Sequence, residues 1–393
     1  MKEYQQRQEA VSRYLQGGKV TSIAHSIGRS RKWVHHWIKR FKENPDDENW
    51  FKDKSKVPKK AKSTLATETE HQILFIRHEL MNEKMAQTGA ISIQYECERR
   101  GIKPLPAVWT INRIIAKHGL SKQSSVHKNP KEYPDLFWHM HQMDLVGPRY
   151  IKGDGKFYSV NLIDTTTHSC FVKAVRTKSS DGIVQSIASF WQTHGMPDAL
   201  QMDNELAFRG SNRYPRSFGS VVRFALSQGA APVFIPVKEP WRNGIIEKFN
   251  HTYQKRFLQA HTFKNLNDLS AQEQSFMNFH NSNHRYSSQG HKTPNEMKAI
   301  LLPPIYYKGI EHLPSRKSGS EIKISLQKGC IYYIRFIRSD LKLYLPNESF
   351  TLMPELKYSY VVAEINIDNH SLIIRQNGEI KQVFSYTIDA IDW

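Results

Sequence analysis

The sequence is poor in cysteine, in acidic residues and in long apolar runs. Its three cysteines, Cys97, Cys170 and Cys330, are isolated from one another, which excludes a CxxC zinc pair and a dense disulfide framework. No apolar run approaches the ~20 residues that span a bilayer, and the first ten residues, MKEYQQRQEA, contain no signal-peptide core. A GxxxxGK(S/T) phosphate loop is missing too, so ATP-driven help would come from another protein. We therefore expect a cytoplasmic protein without a membrane partner.

The shortage of acidic residues leaves a strongly basic chain. Lys and Arg number 56 against 37 Asp and Glu, a formal net charge of +19 over 393 residues. Residues 1–60 contain 15 Lys and Arg against 7 Asp and Glu, a net +8, so the excess is concentrated near the N-terminus. Such a balance favours a polyanionic partner, and we predict nucleic acid.

The segment VTSIAHSIGRSRKWVHHWIKRF predicts two helices around a tight turn at Gly28. Thr21 or Ser22 is expected to cap the first helix and Ser30 the second. Apolar residues recur on one face of the second helix, at Val34, Trp37, Ile38 and Phe41. We interpret residues 1–50 as a helix-turn-helix DNA-binding domain, with a solvated αα-hairpin as the alternative. The expected DNA contacts are Arg29, Arg31, Lys32, His35 and Lys39.

A basic linker is predicted at 51–64, followed by a second helical domain at 65–125. The last helix of that domain, in AVWTINRIIAKHGL, has an apolar stripe formed by Val108, Ile111, Ile114 and Ile115. This unit is either a second helix-turn-helix or a helical spacer. If it binds DNA, the residues expected to face outward and make contact are Thr110, Asn112, Arg113 and Lys117.

From residue 134 the pattern changes to alternating strands and helices. Three strand-like segments, a helix capped by Ser180, and then strands and helices in turn predict an α/β core with a mixed sheet over 134–302. Residues 315–393 are rich in β-branched and aromatic residues, beginning with EIKISLQ, and predict a small all-β barrel or sandwich. The boundary between the two is expected at 303–320.

Three acidic residues occupy matching places in this core. Asp144 ends the first strand, Asp203 ends the fourth, and Glu247 lies in the helix after the fifth. Reactive groups of α/β sheets gather where strands end and helices begin. An oxygen-only ligand set favours Mg²⁺ or Mn²⁺. We expect two ions per site, ~3.5–4 Å apart, with Asp144 bridging them and the other two carboxylates holding one ion each.

Other groups near this set are weighed against it. Glu239, in the turn before the Glu247 helix, is the rival third ligand, and Glu205 is an acidic neighbour of Asp203. Asp164 is expected to have a structural hydrogen-bonding role in a turn. Two histidine pairs lack partner cysteines at zinc-finger spacing, so structural zinc is not expected at them: His35/His36 and His139/His141.

The surroundings of Glu247 predict contacts with DNA. His251, Gln254 and Lys255 follow it at i+4, i+7 and i+8, on the same helix face, although a solvated face is an ordinary alternative. Trp241 can stack on a splayed base or pack on the core, and Arg242 beside it is a further expected DNA contact. Asn243 is expected to cap the helix.

The order Asp, Asp, Glu on this pattern, with NGIIEKFN around the last, resembles the integrase-type core of bacterial insertion-sequence transposases and retroviral integrases. QMD at 142–144 resembles their first-strand motif, and FKDKSKVP resembles their basic linker. NSNHRYSSQGHKTPNEM resembles their post-core motif, matching it at Arg285, Thr293, Pro294 and Glu296. The 43 residues between Asp203 and Glu247, positions 204 to 246, exceed the family's usual interval, and the excess falls in LAFRGSNRYPRSFGS.

This resemblance implies a multidomain DDE transposase. It would have N-terminal all-α helix-turn-helix units, a central α/β RNase H-like mixed-sheet core and a C-terminal small all-β barrel. Its partners would be double-stranded DNA, both element ends and target, and further copies of itself on that DNA, in the nucleoid. With two Mg²⁺ or Mn²⁺ ions it would free 3′-OH ends and join them to target DNA. The alternatives are a transposase-derived regulator with a disused core and an RNase H-type nuclease that only hydrolyses.

Overall fold

The computed structural model describes residues 2–54, 67–121, 132–211, 216–309, 326 and 328–388. The chain divides into two compact units, Met1–Ala66 and Thr67–Trp393. Most of the predicted linker at 51–64, much of the predicted boundary at 303–320 and nearly all of the strand EIKISLQ lie outside the described residues.

The described part of the N-terminal unit consists of α1 (Glu3–Leu15), α2 (Val20–Ile27) and α3 (Arg31–Glu43). The predicted pair of helices is α2 and α3, and Gly28 makes the turn between them with a left-handed φ of 70°. The Ser30 hydroxyl caps α3 by accepting a hydrogen bond from a first-turn N–H, as predicted. The apolar core of this unit consists of Ala10, Val11, Ile23, Ala24, Val34, Trp37 and Ile38.

The second unit begins with three helices, α4 (Thr67–Asn82), α5 (Ala90–Arg99) and α6 (Val108–Lys117), which pack around their own apolar cluster. Thr110 is 4% exposed, so the prediction that it faces outward is wrong. The buried face of α6 consists of the adjacent pairs Thr110 and Ile111, and Ile114 and Ile115. Trp109, which precedes Thr110, is 63% exposed.

A nine-stranded mixed sheet organises the rest of this unit, in the order β11-β10-β9-β6-β5-β4-β1-β2-β3. The strands of the predicted core are β1 (Met140–Ile151), β2 (Gly155–Asp164), β3 (Cys170–Val175), β4 (Ala199–Met202) and β5 (Ala231–Phe234). β1, β2 and β3 pair antiparallel, whereas β4 runs parallel to β1 and to β5. The predicted mixed sheet is therefore confirmed.

Helices cover both faces of these five strands. On one face Val160 and Leu162 of β2 join a cluster with α7 (Ser180–His194) and α9 (Ser220–Ser227); the short helix α8 (Leu206–Arg209) lies between these two in sequence. On the other face, where alternate residues of β2 point, the cluster includes α10 (Gly244–Tyr253) and α11 (Leu266–Asn283), and α12 (Pro294–Ile300) follows. None of the helices among the described residues is long and apolar enough to cross a membrane.

The C-terminal strands extend the core sheet, so the predicted separate barrel is not confirmed. β6 (Cys330–Phe336) pairs parallel with β5, and β9 (Tyr360–Asn366), β10 (Ser371–Gln376) and β11 (Glu379–Ser385) continue antiparallel. Only β7 (Lys342–Leu345) and β8 (Glu348–Thr351) form a separate hairpin in the described chain. Without β6, the short strand β5 would present an open sheet edge. Alternation along a strand predicts its faces but not its partner strand.

Two predicted helix caps are displaced. α2 has Lys19 at its N-cap, so the prediction of Thr21 or Ser22 there is wrong because the helix begins earlier. α7 is capped by Ser179, which accepts a hydrogen bond from the Gly182 N–H at 3.4 Å, and not by the adjacent Ser180. Adjacent hydroxyl residues before an apolar run leave such a cap undecided by one position.

A buried carboxyl group connects α11 to the sheet. Glu273 is 2% exposed; its Oε1 accepts from the Tyr253 hydroxyl at 2.6 Å and its Oε2 from the Ala174 N–H at 3.0 Å. Burial raises the pKa of Glu273 to about 7. The protonated form is thus favoured in the folded protein, and the stability of this unit falls as the pH rises from about 4 through 7.

We predict that Glu273→Gln, which removes the ionisable group, gains stability over the wild type as the pH is raised. The amide has almost the same shape, and the tyrosine hydroxyl can turn to accept from its NH₂ group. The advantage of the variant in free energy of unfolding should grow by about 1–3 kcal/mol between pH 5 and pH 8. Urea titrations at both pH values measure it. A difference independent of pH would contradict the assignment.

Candidate active site

Asp144 lies inside a strand rather than at its end. β1 continues to Ile151, so the prediction that Asp144 ends the first strand is wrong. The parallel pairing of β1 with β4, however, ends at Gln142, which lies opposite Gln201. Asp144 therefore lies just past the carboxyl-terminal limit of the parallel pairing, where the neighbouring strand has ended and space opens beside the sheet.

Asp203 and Glu247 lie at the predicted places. Asp203 directly follows β4, and Glu247 is in the first turn of α10. The start of α10 is fixed to the strand that carries Asp144, because the Ile246 N–H donates to Gln142 Oε1 at 3.0 Å. Asn243 makes no side-chain cap, contrary to the prediction; its Nδ2 donates to the carbonyl of Met143 at 3.3 Å.

Burial and the negative charges of neighbouring carboxylates act on Asp144. The pKa of Asp144 is raised to about 7, first by burial and then by the negative charges of Asp203, Glu205 and Glu247. Burial also raises the pKa of Asp203, with a further contribution from Glu205. The structure therefore brings the predicted residues, and Glu205 with them, into one electrostatic neighbourhood.

The spacing of these carboxylates is wider than one ion requires. Among the described residues, only His139, His141 and Asp164 form a group of three whose ligand atoms all lie within 4.8 Å of one another. Ligands of a single Mg²⁺ lie at most ~4 Å apart, since each bond is ~2.1 Å. The outer ligands of two ions ~4 Å apart can be ~8 Å apart. Asp144, Asp203 and Glu247 together do not form such a compact group.

A chain of amides and a hydroxyl holds Asp144 from behind. Asn250 donates to Asp144 Oδ2 at 2.6 Å, Asn161 donates to Asn250 Oδ1 at 2.7 Å, and the Ser159 hydroxyl donates to Asn161 Oδ1 at 2.6 Å. Asn250, Asn161 and Ser159 are all buried. The sequence analysis missed this relay, although Asn250 lies three residues after Glu247 and so on the same side of α10.

A lysine next to the site was also missed. The Lys178 ammonium forms an ion pair with Glu205, whose backbone N–H donates to Asp203 Oδ1 at 2.9 Å. The same ammonium offsets a small part of the rise that burial causes in the pKa of Asp203. Glu205 is therefore already engaged by a cation, which leaves Asp144, Asp203 and Glu247 as the less neutralised set.

The rival ligand Glu239 is engaged elsewhere. Its Oε2 accepts from the Tyr360 hydroxyl at 2.6 Å and from Arg242 Nε at 3.2 Å. The Arg242 guanidinium lies 4.0 Å from the ring centroid of Tyr133 and 4.8 Å from that of Tyr360. With 11% of its side chain exposed, Arg242 has little surface left for the predicted contact with DNA.

The orientation of the His141 ring argues against a metal site in the compact group of His139, His141 and Asp164, although Nε2 of this buried ring has no hydrogen-bond partner in the described part of the chain. Trp191 Nε1, which can only donate, lies 3.1 Å from His141 Nδ1, so the proton of this neutral ring is on Nε2. A metal-bound ring needs an acceptor at its other nitrogen. Asp164 accepts from the Thr167 hydroxyl at 2.8 Å and from two backbone N–H groups, in agreement with the predicted structural role.

The predicted DNA-contacting residues differ in exposure. Trp241 is 61% exposed, so it does not pack on the core. His251 and Lys255 are exposed, whereas Gln254 is half-buried and bonded to Arg149, at a point where α10 continues as a π-helical turn, Gln254–Leu258. The remaining exposed residues of this predicted set are Arg29, Arg31, Lys32, His35, Lys39, Asn112, Arg113 and Lys117.

The post-core motif has a structural explanation. Thr293 and Glu296 form a capping box at the start of α12. The carboxylate of Glu296 also accepts from Arg285 in a bidentate pair, at 2.9 and 3.0 Å. Arg285 in turn lies 3.8 Å from the ring centroid of Tyr95 on α5, which connects the motif to the preceding helices.

Comparison with known families agrees with this architecture. Residues 228–294 match the family described as "Integrase core domain", and residues 1–48 match a "Homeodomain-like domain". Two separate parts of the chain are thus similar to an integrase core and to a homeodomain-like domain. The integrase-core match includes Glu247, Arg285 and Thr293, whereas Asp144 and Asp203 lie before it. No curated protein matches the chain.

Three solved structures are similar to parts of the chain. The HTLV-2 integrase catalytic core domain, solved with magnesium, is 15% identical in its trimeric form (40% of this chain, 95% of that one, TM-score 0.32). In its dimeric form it is 17% identical (41% and 97%, TM-score 0.31). The intasome of simian T-cell lymphotropic virus, solved with PP2A regulatory subunit B56 gamma, is 14% identical (75% and 95%, TM-score 0.36).

We predict that Asp144→Asn stabilises the protein when divalent ions are absent. Burial, and then the neighbouring carboxylates, raise the pKa of Asp144 to about 7, so the cost of ionising it in the folded protein grows between about pH 4 and pH 7, and the neutral amide avoids this cost. In EDTA at pH 8 the variant should melt a few degrees higher than the wild type. Added Mg²⁺ should then raise the Tm of the wild type and leave the variant unchanged.

Asp154→Asn is the matched control for this experiment. Asp154 is ion-paired with Arg176 at 2.6 Å, which lowers its pKa, so its neutralisation should lower the Tm. A lower Tm for Asp144→Asn in EDTA would contradict the picture of mutually repelling carboxylates.

Proposed function

We propose that the protein is a DNA transposase of the DDE class. The observation that supports this best is the position of Asp144, Asp203 and Glu247 at one end of the parallel strands, where burial, and then the charges of Asp203, Glu205 and Glu247, raise the pKa of Asp144. This set belongs to a chain with an integrase core and a homeodomain-like domain. Neither domain alone distinguishes an enzyme that joins DNA from a protein that only binds it. The combination of both domains with the carboxylates of Asp144, Asp203 and Glu247 favours joining.

The three carboxylates suit hard divalent cations, and we propose Mg²⁺ or Mn²⁺, two per site. Bound there, the ions would supply an activated oxygen nucleophile and stabilise the leaving alkoxide. Asp144 is the proposed bridging ligand, and Asn250 fixes its orientation by donating to Oδ2. Asp203 and Glu247 would each hold one ion from opposite sides, on rigid supports after β4 and in α10.

The N-terminal unit is the proposed reader of the inverted-repeat ends of a mobile element. The exposed basic residues of α3 and the preceding turn, with Ser30 fixing the helix start, suit insertion into a DNA groove. The exposed Trp109 and Arg113 of α6 form a second surface of this kind, with the guanidinium 5.4 Å from the ring centroid. Joining two ends to target DNA requires two active sites, so the protein would act as a homo-oligomer on DNA in the nucleoid.

The test is a strand-transfer reaction with full-length protein. A supercoiled plasmid bearing the DNA that flanks this gene on both sides is incubated with a target plasmid and Mg²⁺ or Mn²⁺. We expect nicking at the gene-flanking ends and products joined to target DNA. Asp203→Ala and Glu247→Gln should reduce both activities at least 10³-fold, whereas Glu239→Gln should retain them within about tenfold.

The outcomes separate the alternatives. Metal-dependent cleavage without joined products would indicate a nuclease that only hydrolyses. Specific binding of the flanking DNA with neither cleavage nor joining would indicate a regulator. Loss of activity in Glu239→Gln with activity retained in Glu247→Gln would overturn the assignment of the third ligand.

We further predict that Arg31→Ala and Lys32→Ala weaken binding of the flanking DNA mainly through loss of phosphate contacts. The slope of log Kd against log salt concentration should fall by about one unit for each substitution. Arg13→Ala is the control, because Arg13 is on α1 and already ion-paired with Glu9. Fluorescence anisotropy between 50 and 300 mM salt (a range of about sixfold) measures the slopes. Equal slopes in all four proteins would exclude α3 as the DNA-contacting helix.

A further inference from the structure

A buried arginine on β6, a C-terminal strand of the nine-stranded sheet, forms hydrogen bonds to the loop that follows β4. Arg335, on β6, is 7% exposed. Its NH2 donates to the side-chain oxygen of Asn204 at 2.7 Å, and its NH1 donates to the carbonyl of Ile235 at 2.9 Å. A further bond, from Nε to the carbonyl of Tyr344, measures 3.2 Å. A buried cation costs several kcal/mol in desolvation, and here neutral oxygens offset that cost.

Asn204 is held on every side. Its Oδ1 accepts from Arg335, its Nδ2 donates to the carbonyl of Ile235 at 2.7 Å, and its own carbonyl accepts from Arg209 Nε at 2.9 Å. Asn204 is the residue directly after Asp203. The bond from Arg335 on β6 therefore restrains the segment of chain that carries Asp203.

A second contact, from strand β9, involves the turn that precedes Glu247. Tyr360, on β9, donates its hydroxyl proton to Glu239 and accepts from Arg242 NH2 at 2.9 Å. The carbonyl of Arg242 accepts from Gln201 Nε2 at 3.1 Å, which connects the turn to β4. The 3₁₀ turn Pro240–Asn243 runs directly into α10, so Tyr360 acts on the helix that carries Glu247.

We infer that the C-terminal strands β6 and β9 support the active site, with Arg335 and Tyr360 as positioning residues that hold Asp203 and Glu247 in place for divalent ions. The inference rests on the proposed function. Its physical reason is geometric: Asp203 and Glu247 lie on separate segments of chain, and Arg335 and Tyr360 each form hydrogen bonds to the segment that carries one of them. Without these two contacts the Asp203 loop and the start of α10 would relax apart, and each later ion would have to draw them together again.

If Arg335 acted only on the stability of the fold, the effect of its substitution would not depend on the presence of Asn204. A double-mutant cycle separates the two cases. The variants are Arg335→Met, Asn204→Ala and the double substitution, all in the full chain. The measurement is Mn²⁺ affinity, from the electron paramagnetic resonance signal of free Mn²⁺ during titration, with Tm recorded in parallel.

We expect Arg335→Met and Asn204→Ala each to weaken Mn²⁺ binding about 10-fold or more, as loss of groups that orient metal ligands does. The double variant should be no weaker than the weaker single variant. Tyr360→Phe, which removes only a hydroxyl and keeps the ring in place, should weaken Mn²⁺ binding by a smaller factor, roughly threefold. It serves as the informative variant if Arg335→Met does not fold.

Arg375→Met is the matched control. Arg375 lies on β10, two strands from β6, and pairs with Glu364 at 2.7 Å. Its loss should lower the Tm and leave Mn²⁺ affinity unchanged. Wild-type Mn²⁺ affinity in Arg335→Met, or in Tyr360→Phe where the former is unfolded, would overturn the inference, as would additive losses in the cycle.

Failure of the proposed function has a different signature. A wild-type protein that binds Mn²⁺ but neither cleaves nor joins DNA would refute the transposase proposal, while the cycle would still report on positioning. A wild-type protein that joins DNA, together with an Arg335→Met variant that binds Mn²⁺ normally, would refute the positioning role alone. A wild-type protein that does not bind Mn²⁺ would refute both.

Discussion

The candidate site depends on holding half-buried carboxylates near one another, although burial and like charge disfavour this. Asp144, Asp203 and Glu247 come from three separate stretches of chain, and burial together with their mutual charge raises the pKa of Asp144. Such an arrangement is unfavourable by itself, because each group would be better solvated apart. It persists because the sheet and α10 hold the three side chains in place. Under the proposed function, the charge of bound cations would offset this cost.

The side chains that impose this arrangement are mostly amides. Gln142, Asn243 and Gln201 connect β1 and β4 to the start of α10, and Asn250 orients Asp144 directly. Amides orient neighbouring groups by hydrogen bonds without neutralising the carboxylates. Cations near the site are engaged by other partners: Lys178 pairs with Glu205, and Arg335 donates to Asn204 and to backbone carbonyls. The negative charge that would attract divalent ions is thereby preserved.

Local sequence was sufficient where function depends on a short context. Ser30 before the apolar run of α3, Asp203 at the end of a short strand and Glu247 after Asn-Gly all lie where the sequence predicts. Thr110 was assigned to the wrong face of α6, because a single position decides whether a side chain faces the core or the solvent. The caps of α2 and α7 were misplaced by one to three residues. The post-core motif was recognisable as a pattern, but its reason, the pairing of Arg285 with Glu296, required coordinates.

What the sequence could not provide is the pairing of distant strands. The C-terminal segments were recognisable as strands, yet their union with β5 depends on register between residues about a hundred positions apart, such as Phe234 and Tyr333. The roles of Arg335 and Tyr360 follow from that pairing and were invisible without it. For the same reason the length of β1 beyond Asp144 was underestimated, since Arg149 to Ile151 are exposed or irregular in pattern but pair with β2.

The most direct test of the central claim is a crystal structure of the full chain soaked in Mn²⁺, with the ions located by anomalous scattering. We predict two peaks about 3.5–4 Å apart, both within bonding distance of Asp144, one also bound by Asp203 and the other by Glu247. No peak between these carboxylates, or a single peak at His139, His141 and Asp164 instead, would contradict the account.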